Sequence, residues 1–370
     1  MDRPVIAALA DLLSRHVDLS KSRRETVALA MVGMIGARTV NLAHVASERG
    51  SATVELASTY RRLQRLFQHA RPPEDWAAPA IAQLAGGAEK RTLVMDRTNW
   101  KLGGSEQNIL VLAIRTRHSQ VPLMWTVLGR PGNSSSEERI ALMARYLALF
   151  GAGSIGMLLA DREFAGSGWF NWLNDNAIPF TIRLAHNRLI TRADGCEVKL
   201  SSQITLPRKG RHCTGTLEGT GHPLHISARM PKGGEWVIGA TNRPGHDALK
   251  TYRKRWAIGP ARPPARTRGA CGLAANCKTR GLNLEDTRLT APAKLHLLTT
   301  LIALAVAWSV RAARTLLGNT APPRKTHGYH AQSYFRAGFT FRRIRLRAEH
   351  PDALIKWRNL RNGSRNAGVE

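Results

Sequence analysis

Apolar residues recur at helical spacing from the start of the chain. Leu9, Leu12, Leu13 and Val17 predict a first helix, and Ser20 stands as the N-cap of a second that runs through Val27 and Met31. A third helical segment, Thr53 to Gln68, sets Leu63, Leu66 and Phe67 toward a core and Arg61, Arg62 and Arg65 away from it; Pro72 and Pro73 end it. Residues 1–85 therefore read as a helical domain, and its Arg-bearing helix suits contact with DNA.

From residue 90 the period changes. RTLVMD (91–96) is a short apolar run that ends in an acid, and NILVLAI (108–114) and VPLMWTVL (121–128) read as further strands joined by a turn. Ser134 to Ser136 followed by Glu137 and Glu138 form the start of a helix through Ile140, Leu142, Met143, Tyr146 and Leu147. A buried strand, 155–160, ends in Asp161; a helix around Trp169 to Leu173 and a strand at 179–182 follow. Strands alternating with helices over 90–185 predict an α/β core with a mixed sheet.

Residues 186–245 carry short alternating stretches at 188–191, 197–200, 223–228 and 235–240, which predict a β insertion. The pattern turns helical again over 247–258, and after an irregular stretch a helix is expected from about Pro292 to Leu317. Residues 246–317 thus hold the rest of the core and C-terminal helices, and 318–370 read as a basic, loop-rich tail. The most apolar run, 297–310, is shorter than the ~20 residues a membrane-spanning helix needs, so no membrane partner is expected.

Charge sharpens this picture. Lys and Arg total 55 against 26 Asp plus Glu, a net charge of +29 spread along the whole chain. Self-repulsion on that scale is relieved by a polyanion, which points to nucleic acid. The four cysteines form no CxxC pair, so neither a structural zinc nor a disulfide framework is expected. The N-terminus lacks the layout of a signal peptide, and the chain reads as cytoplasmic.

Two acids end core strands, Asp96 and Asp161. If their strands are neighbours, the carboxylates converge and can bind Mg²⁺ (or Mn²⁺), which takes oxygen ligands and keeps several waters. Two such ions activate the attacking oxygen and stabilise the leaving one in phosphodiester chemistry. Glu163, Glu285 and Asp286 are the further carboxylates that could act as a third. His296, His327 and His330 read as ordinary surface or core histidines, Trp100 and Trp125 as core, and Arg336, Arg342, Arg343 and Arg345 as solvated or phosphate-binding.

The words around these acids are MDRTNWKLGG and LLADREFAG, and the helix near 250 contains TYRKRWAI. With STYRRLQRLF (58–67), KTRGLNLEDTRLTAPAKL (278–295) and KTHGYHAQSYFRAGF (325–339), they resemble the bacterial insertion-sequence transposases of the DDE superfamily, the YREK-signature group of the insertion-sequence family four type. That resemblance implies an RNase H-like catalytic core with a β-strand insertion, flanked by helical N- and C-terminal regions. It implies DNA cleavage and strand transfer at terminal inverted repeats, a homodimer on paired ends, and a bacterial, nucleoid-associated location. It also implies that Tyr252, Arg255 and Lys278 hold DNA phosphates, with Arg61, Arg62 and Arg65 as further contacts, and that Asp96 and Asp161 ligate the metal.

The family pattern is Tyr, two residues, Arg, three residues, Glu, six residues, Lys. Counting from Tyr252 and Arg255 places the Glu at Gly259 and the Lys at Arg266, while the family-like text resumes only at Lys278. Between them runs GPARPPARTRGACGLAANC (259–277), whose prolines cannot continue a helix. The composition resembles GC-rich DNA read out of frame and then restored. The sequence therefore predicts a transposase lineage whose third carboxylate is missing. A non-enzymatic DNA-binding remnant and a metal-dependent nuclease of the same fold are the alternatives.

Overall fold

A computed structural model describes residues 4–15, 17–102, 105–204, 211–229, 236–255, 281–284, 287, 289–326 and 330–350. Gly259, the 259–277 stretch, Lys278, Glu285, Asp286 and His327 lie outside the described residues, as does the side chain of Trp100.

The N-terminal region is helical: α1 (Pro4–Leu13), α2 (Lys21–Ala37), α3 (Leu42–Ser47), α4 (Leu56–His69) and α5 (Ala78–Ala85). Leu9, Leu13, Leu63, Leu66 and Phe67 are buried as their spacing requires. Val17 is buried too, but lies past the end of α1. Ser20 does occupy the N-cap of α2, although its side chain makes no capping hydrogen bond.

The core follows in the expected order: β1 (Arg91–Leu102), β2 (Ser105–Arg115), β3 (Gln120–Leu128), α6 (Ser136–Phe150), β4 (Ile155–Ala160), α7 (Ser167–Asp175) and β5 (Phe180–Leu184). Ser135 and Glu138 close a reciprocal capping box at the start of α6. One expectation needs correction. Asp96 does not end its strand, because β1 runs on to Leu102 in a long hairpin with β2, Leu102 opposite Ser105.

Beyond β5 come β6 (Leu189–Thr191), β7 (Glu197–Lys199), α8 (Leu200–Ile204), β8 (Arg211–Leu217), β9 (Pro223–Arg229) and β10 (Val237–Thr241). These strands extend the core sheet, giving a single ten-stranded sheet in the order β3-β2-β1-β4-β5-β10-β9-β8-β6-β7. β8 escapes the hydrophobic pattern because the inward positions of RHCTGTL are Cys213, Gly215 and Leu217, with only one large apolar side chain; ladder bonds to β9 and β6 hold it in place.

Three more helices follow among the described residues: α9 (Ala248–Tyr252), which passes into a 3₁₀ turn at Arg253–Arg255, α10 (Pro292–Leu317) and α11 (Tyr334–Arg347). α10 is 26 residues long and apolar enough to cross a membrane by length and composition, yet most of its apolar stretch is buried within the protein. Within the region read as a loop-rich tail, residues 334–347 form a helix, α11. Phe335, Phe339, Arg342 and Leu346 form one buried stripe against α10, and Gly338 lets the two backbones meet: a Cβ there would strike the Ser309 carbonyl.

Register settles which layer covers which face of the sheet. Leu93, Met95, Leu158 and Ala160 point to one face, where Phe170 of α7 stacks on Phe180 at 5.1 Å. Val94, Asp96, Met157 and Leu159 point to the other. On that second face His296 of α10 packs on Trp125 of β3 at 5.2 Å, and α9 lies over β5, β10 and β9. The strip over β1 and β4 lies between those two covers. Val94, Met157 and Leu159 form their own small buried cluster there, apart from the main core.

A candidate acidic site clasped by an arginine

β1 and β4 are adjacent and parallel, with Met95 opposite Ala160. The next residue after each of these is the acid, so Asp96 and Asp161 stand side by side on the second face. Each accepts a hydrogen bond from the backbone N–H of the arginine that follows it: Arg97 to Asp96 Oδ1 at 2.9 Å and Arg162 to Asp161 Oδ1 at 2.8 Å. The repeated Asp-Arg dipeptide in MDR and ADR is the sequence signal for this shared local geometry.

Asp96 is 6% exposed. Burial pushes its carboxyl up from the ordinary 3.8 to about 6, against the opposing pull of Arg255 and the Arg97 N–H; Glu163 and Asp161 add to the rise. A carboxylate in that state favours any cation brought to it.

The cation present is Arg255. Its side chain is 3% exposed, with Nη2 3.3 Å from Asp96 Oδ2 and Nη1 3.5 Å from Asp161 Oδ2. Nη1 also donates to the Tyr252 hydroxyl at 3.3 Å, and that hydroxyl donates to Asp161 Oδ1 at 3.2 Å. Burial pushes the Tyr252 hydroxyl up to about 12, so it stays a donor. Arg183 stands 3.9 Å from Asp161 at the margin.

Local sequence explains why Tyr252 and Arg255 arrive here. Asp247 caps α9, accepting from the Leu249 and Lys250 N–H groups. Gly239 lets the helix approach β10, where a Cβ would stand 3.3 Å from the Ala248 Cβ. The 3₁₀ turn then stacks residues three apart, which puts Arg255 beside Tyr252.

The sequence-derived residues therefore separate into groups. Asp96, Asp161, Tyr252 and Arg255 are brought together. Glu163 is turned aside: its carboxylate accepts from Arg97 Nη2 at 2.9 Å and Nε at 3.2 Å. Arg97, which sequence reasoning passed over, also reaches Asn99, Asn108 and Asn133, and so ties β1 to the loop before α6. In α4, Arg61 and Arg65 are exposed, while Arg62 is bound to Glu25 and Thr26 of α2. Arg342 is the clear correction: it is buried, 2% exposed, with its guanidinium 4.6 Å over the Trp308 ring.

No protein-family model matches this chain, and no curated protein sequence does. Among solved structures it is similar to piggyBac transposase in a cryo-EM synaptic complex with hairpin DNA. The TM-score is 0.43, with 12% identity, over 100% of this chain and 83% of that one. A likeness that distant assigns neither residue roles nor an activity.

Two carboxylates on adjacent strands, one buried, supply oxygen donors of the kind Mg²⁺ takes. The guanidinium lodged between them shows that the pair accepts positive charge at this point. Among the described residues no group of three or more His, Cys, Asp and Glu is arranged to hold a metal. The pair fits a hydrated divalent ion as two of its ligands, in competition with Arg255.

Proposed function

We propose that this chain is a DNA transposase by lineage, of the DDE type, acting by metal-dependent cleavage and strand transfer at the ends of an insertion sequence. The observation that carries the reading is the parallel β1–β4 register that sets Asp96 beside Asp161. The strand order β3-β2-β1-β4-β5, with β2 alone antiparallel, supports an RNase H-like core. The net charge of +29 supports DNA as the partner.

In this reading Asp96 and Asp161 hold Mg²⁺ or Mn²⁺, which when bound would polarise a phosphate and activate an attacking oxygen. The chain's own residues do the rest. The sheet fixes the two carboxylates, and Arg97 keeps Glu163 away from them by binding its carboxylate. Tyr252 holds a proton at its hydroxyl and orients Asp161. Arg255, once released from the acids, is positioned to meet a DNA phosphate. A homodimer on paired ends belongs to the same proposal.

The Arg255 clasp favours a second reading, a DNA-binding remnant without catalysis. A cation already neutralises the acid pair, and the sequence offers Gly259 where the family pattern asks for Glu.

One assay separates them: nicking of duplex DNA carrying the element's own inverted repeats, with Mg²⁺, using the natural chain and a variant with 259–277 replaced by an uninterrupted Glu-bearing helix. The transposase reading expects nicking and strand transfer, at least in the restored variant, with both lost in Asp96→Asn and Asp161→Asn. Hydrolysis without strand joining would identify a nuclease. End binding with no nicking in either form would identify the remnant.

A further inference from the structure

A second charged feature lies toward the other end of β1. A cleft of about 310 Å³ opens between the end of α5, the start of β1, the β2–β3 turn and the C-terminal half of α10. Asp96 is five residues further along β1 than Arg91, roughly 16 Å away at the rise of a strand.

Its charged lining is of one sign. Lys90, Arg115, Arg117, His118, Arg311 and Arg314 contribute to the wall, and no Asp or Glu does. Among the described residues none of Lys90, Arg117, Arg311 and Arg314 is held in an ion pair. By contrast Arg62, Arg97, Arg130, Arg145, Arg192 and Arg347 each have a carboxylate partner. A cation at Arg314 complements the helix dipole at the end of α10, but that effect fades within the last turn. It does not account for Arg311, for Arg117 in the turn, or for Lys90 before β1.

The cleft is also held open. His118 Nε2 lies 2.8 Å from the Asn319 carbonyl oxygen, and its ring packs on Tyr334 at 5.1 Å, which ties the β2–β3 turn to the segment after α10. Gly86 makes room for Arg314, since a Cβ there would stand 3.0 Å from Nη1. Burial and the neighbouring Arg314 both hold Arg311 below the usual arginine value, so an anion placed between them would relieve a repulsion.

We propose that this cleft binds phosphate groups of a nucleic-acid backbone, as a contact separate from the Asp96–Asp161 pair. It shares with the proposed function only the premise that the chain binds nucleic acid, and does not depend on catalysis. Guanidinium groups from two elements facing an ammonium suit phosphate oxyanions.

The test is fluorescence anisotropy of the full chain with a labelled random-sequence duplex across a salt series. The variants are Arg311→Gln/Arg314→Gln and Lys90→Gln/Arg117→Gln. Lys199→Gln/Arg229→Gln, exposed on β7 and β9, removes equal charge elsewhere. Circular dichroism checks that each is folded, and two independent cleft variants guard against one failing to fold. The expected result is a loss of at least about fivefold in affinity for each cleft variant, with the log–log salt slope shallower by about 0.9 for every phosphate contact removed. The Lys199/Arg229 variant should keep the natural slope. Equal losses in the Lys199/Arg229 variant would overturn the proposal in favour of diffuse charge. Unchanged binding in both cleft variants would overturn it outright. Inorganic pyrophosphate that raises the melting temperature of the natural chain but not of the cleft variants, without any change in duplex binding, would also overturn it, identifying a site for a free anion. Because the nicking assay reads the acid pair and the salt slope reads the cleft, the two proposals fail separately.

Discussion

Arg255 and Arg342 are both buried, and the fold uses them in opposite ways. Arg255 lies between two carboxylates on the sheet. Burial alone would lower its proton affinity, but attraction to Tyr252, Asp96 and Asp161 outweighs burial and raises it. Arg342 lies on the face of Trp308 between two helices, and burial lowers it to about 10. One arginine sits among carboxylates and the other on an indole face. Burial of a cation is therefore no sign of a site by itself; the sign is the company of acids on adjacent strands.

The strongest way to break this contrast is Arg255→Met. Removing the cation leaves Asp96 and Asp161 facing each other, and the expected destabilisation at pH 8 is about 3 kcal/mol, discounted for the partial exposure of Asp161. The loss should shrink toward pH 4.5, where Asp96 is protonated and no longer needs a partner. Urea unfolding at the two pH values measures it. An equal loss at both would mean that Arg255 acts by packing alone.

Asp96→Asn tests the same site from the other side. The folded carboxyl sits at about 6 and the ordinary one at 3.8, so the unfolded state releases its proton first as pH rises. The ionised group thus costs stability between those values, a loss of about 3 kcal/mol complete above about pH 6 and absent below about pH 4. Asparagine removes the ionisation. The natural chain should lose stability across about pH 4–6 relative to Asp96→Asn, and parallel pH profiles for the two would refute the assigned environment.

How much of this contrast can be read from the sequence follows from the same two residues. Asp96 and Asp161 are legible because each closes an apolar run of the length of a strand, and Tyr252 and Arg255 only because TYRKRWAI resembles the first part of a known family pattern. That Arg255 turns inward onto the acids is not legible, since side-chain direction depends on how α9 meets β10 through Gly239. Arg342 misleads for a different reason. Five arginines in the 14 residues of α11 hide a stripe at 335, 339, 342 and 346, and only the partner helix reveals that Arg342 belongs to it. β8 is invisible to the pattern because its stability comes from neighbouring strands and not from its own alternation.

Arg342→Ala is the next test in size. Truncation opens a void between α10 and α11 where the guanidinium covered Trp308. The void is offset in part by relief of a buried charge, for a net cost of about 2 kcal/mol. Thermal melts should show the same loss from about pH 5 to about pH 9, since a base at about 10 stays protonated throughout that range.

The smallest effect is expected for Arg342→Met, and it is the most discriminating. Methionine keeps most of the volume and an adaptable thioether over the indole, while discarding the charge that burial disfavours. The cost of holding Arg342 charged is fully present below about pH 10 and would vanish in the variant; what is lost includes the cation–π attraction, about 1–2 kcal/mol when desolvated. These oppose each other, so Arg342→Met should be no more than about 1 kcal/mol less stable than the natural chain, where Arg255→Met falls well below it at pH 8. If methionine at 342 proved as damaging as methionine at 255, the charge of Arg342 would be needed after all, and the division between a cation held by carboxylates and one held by packing would collapse.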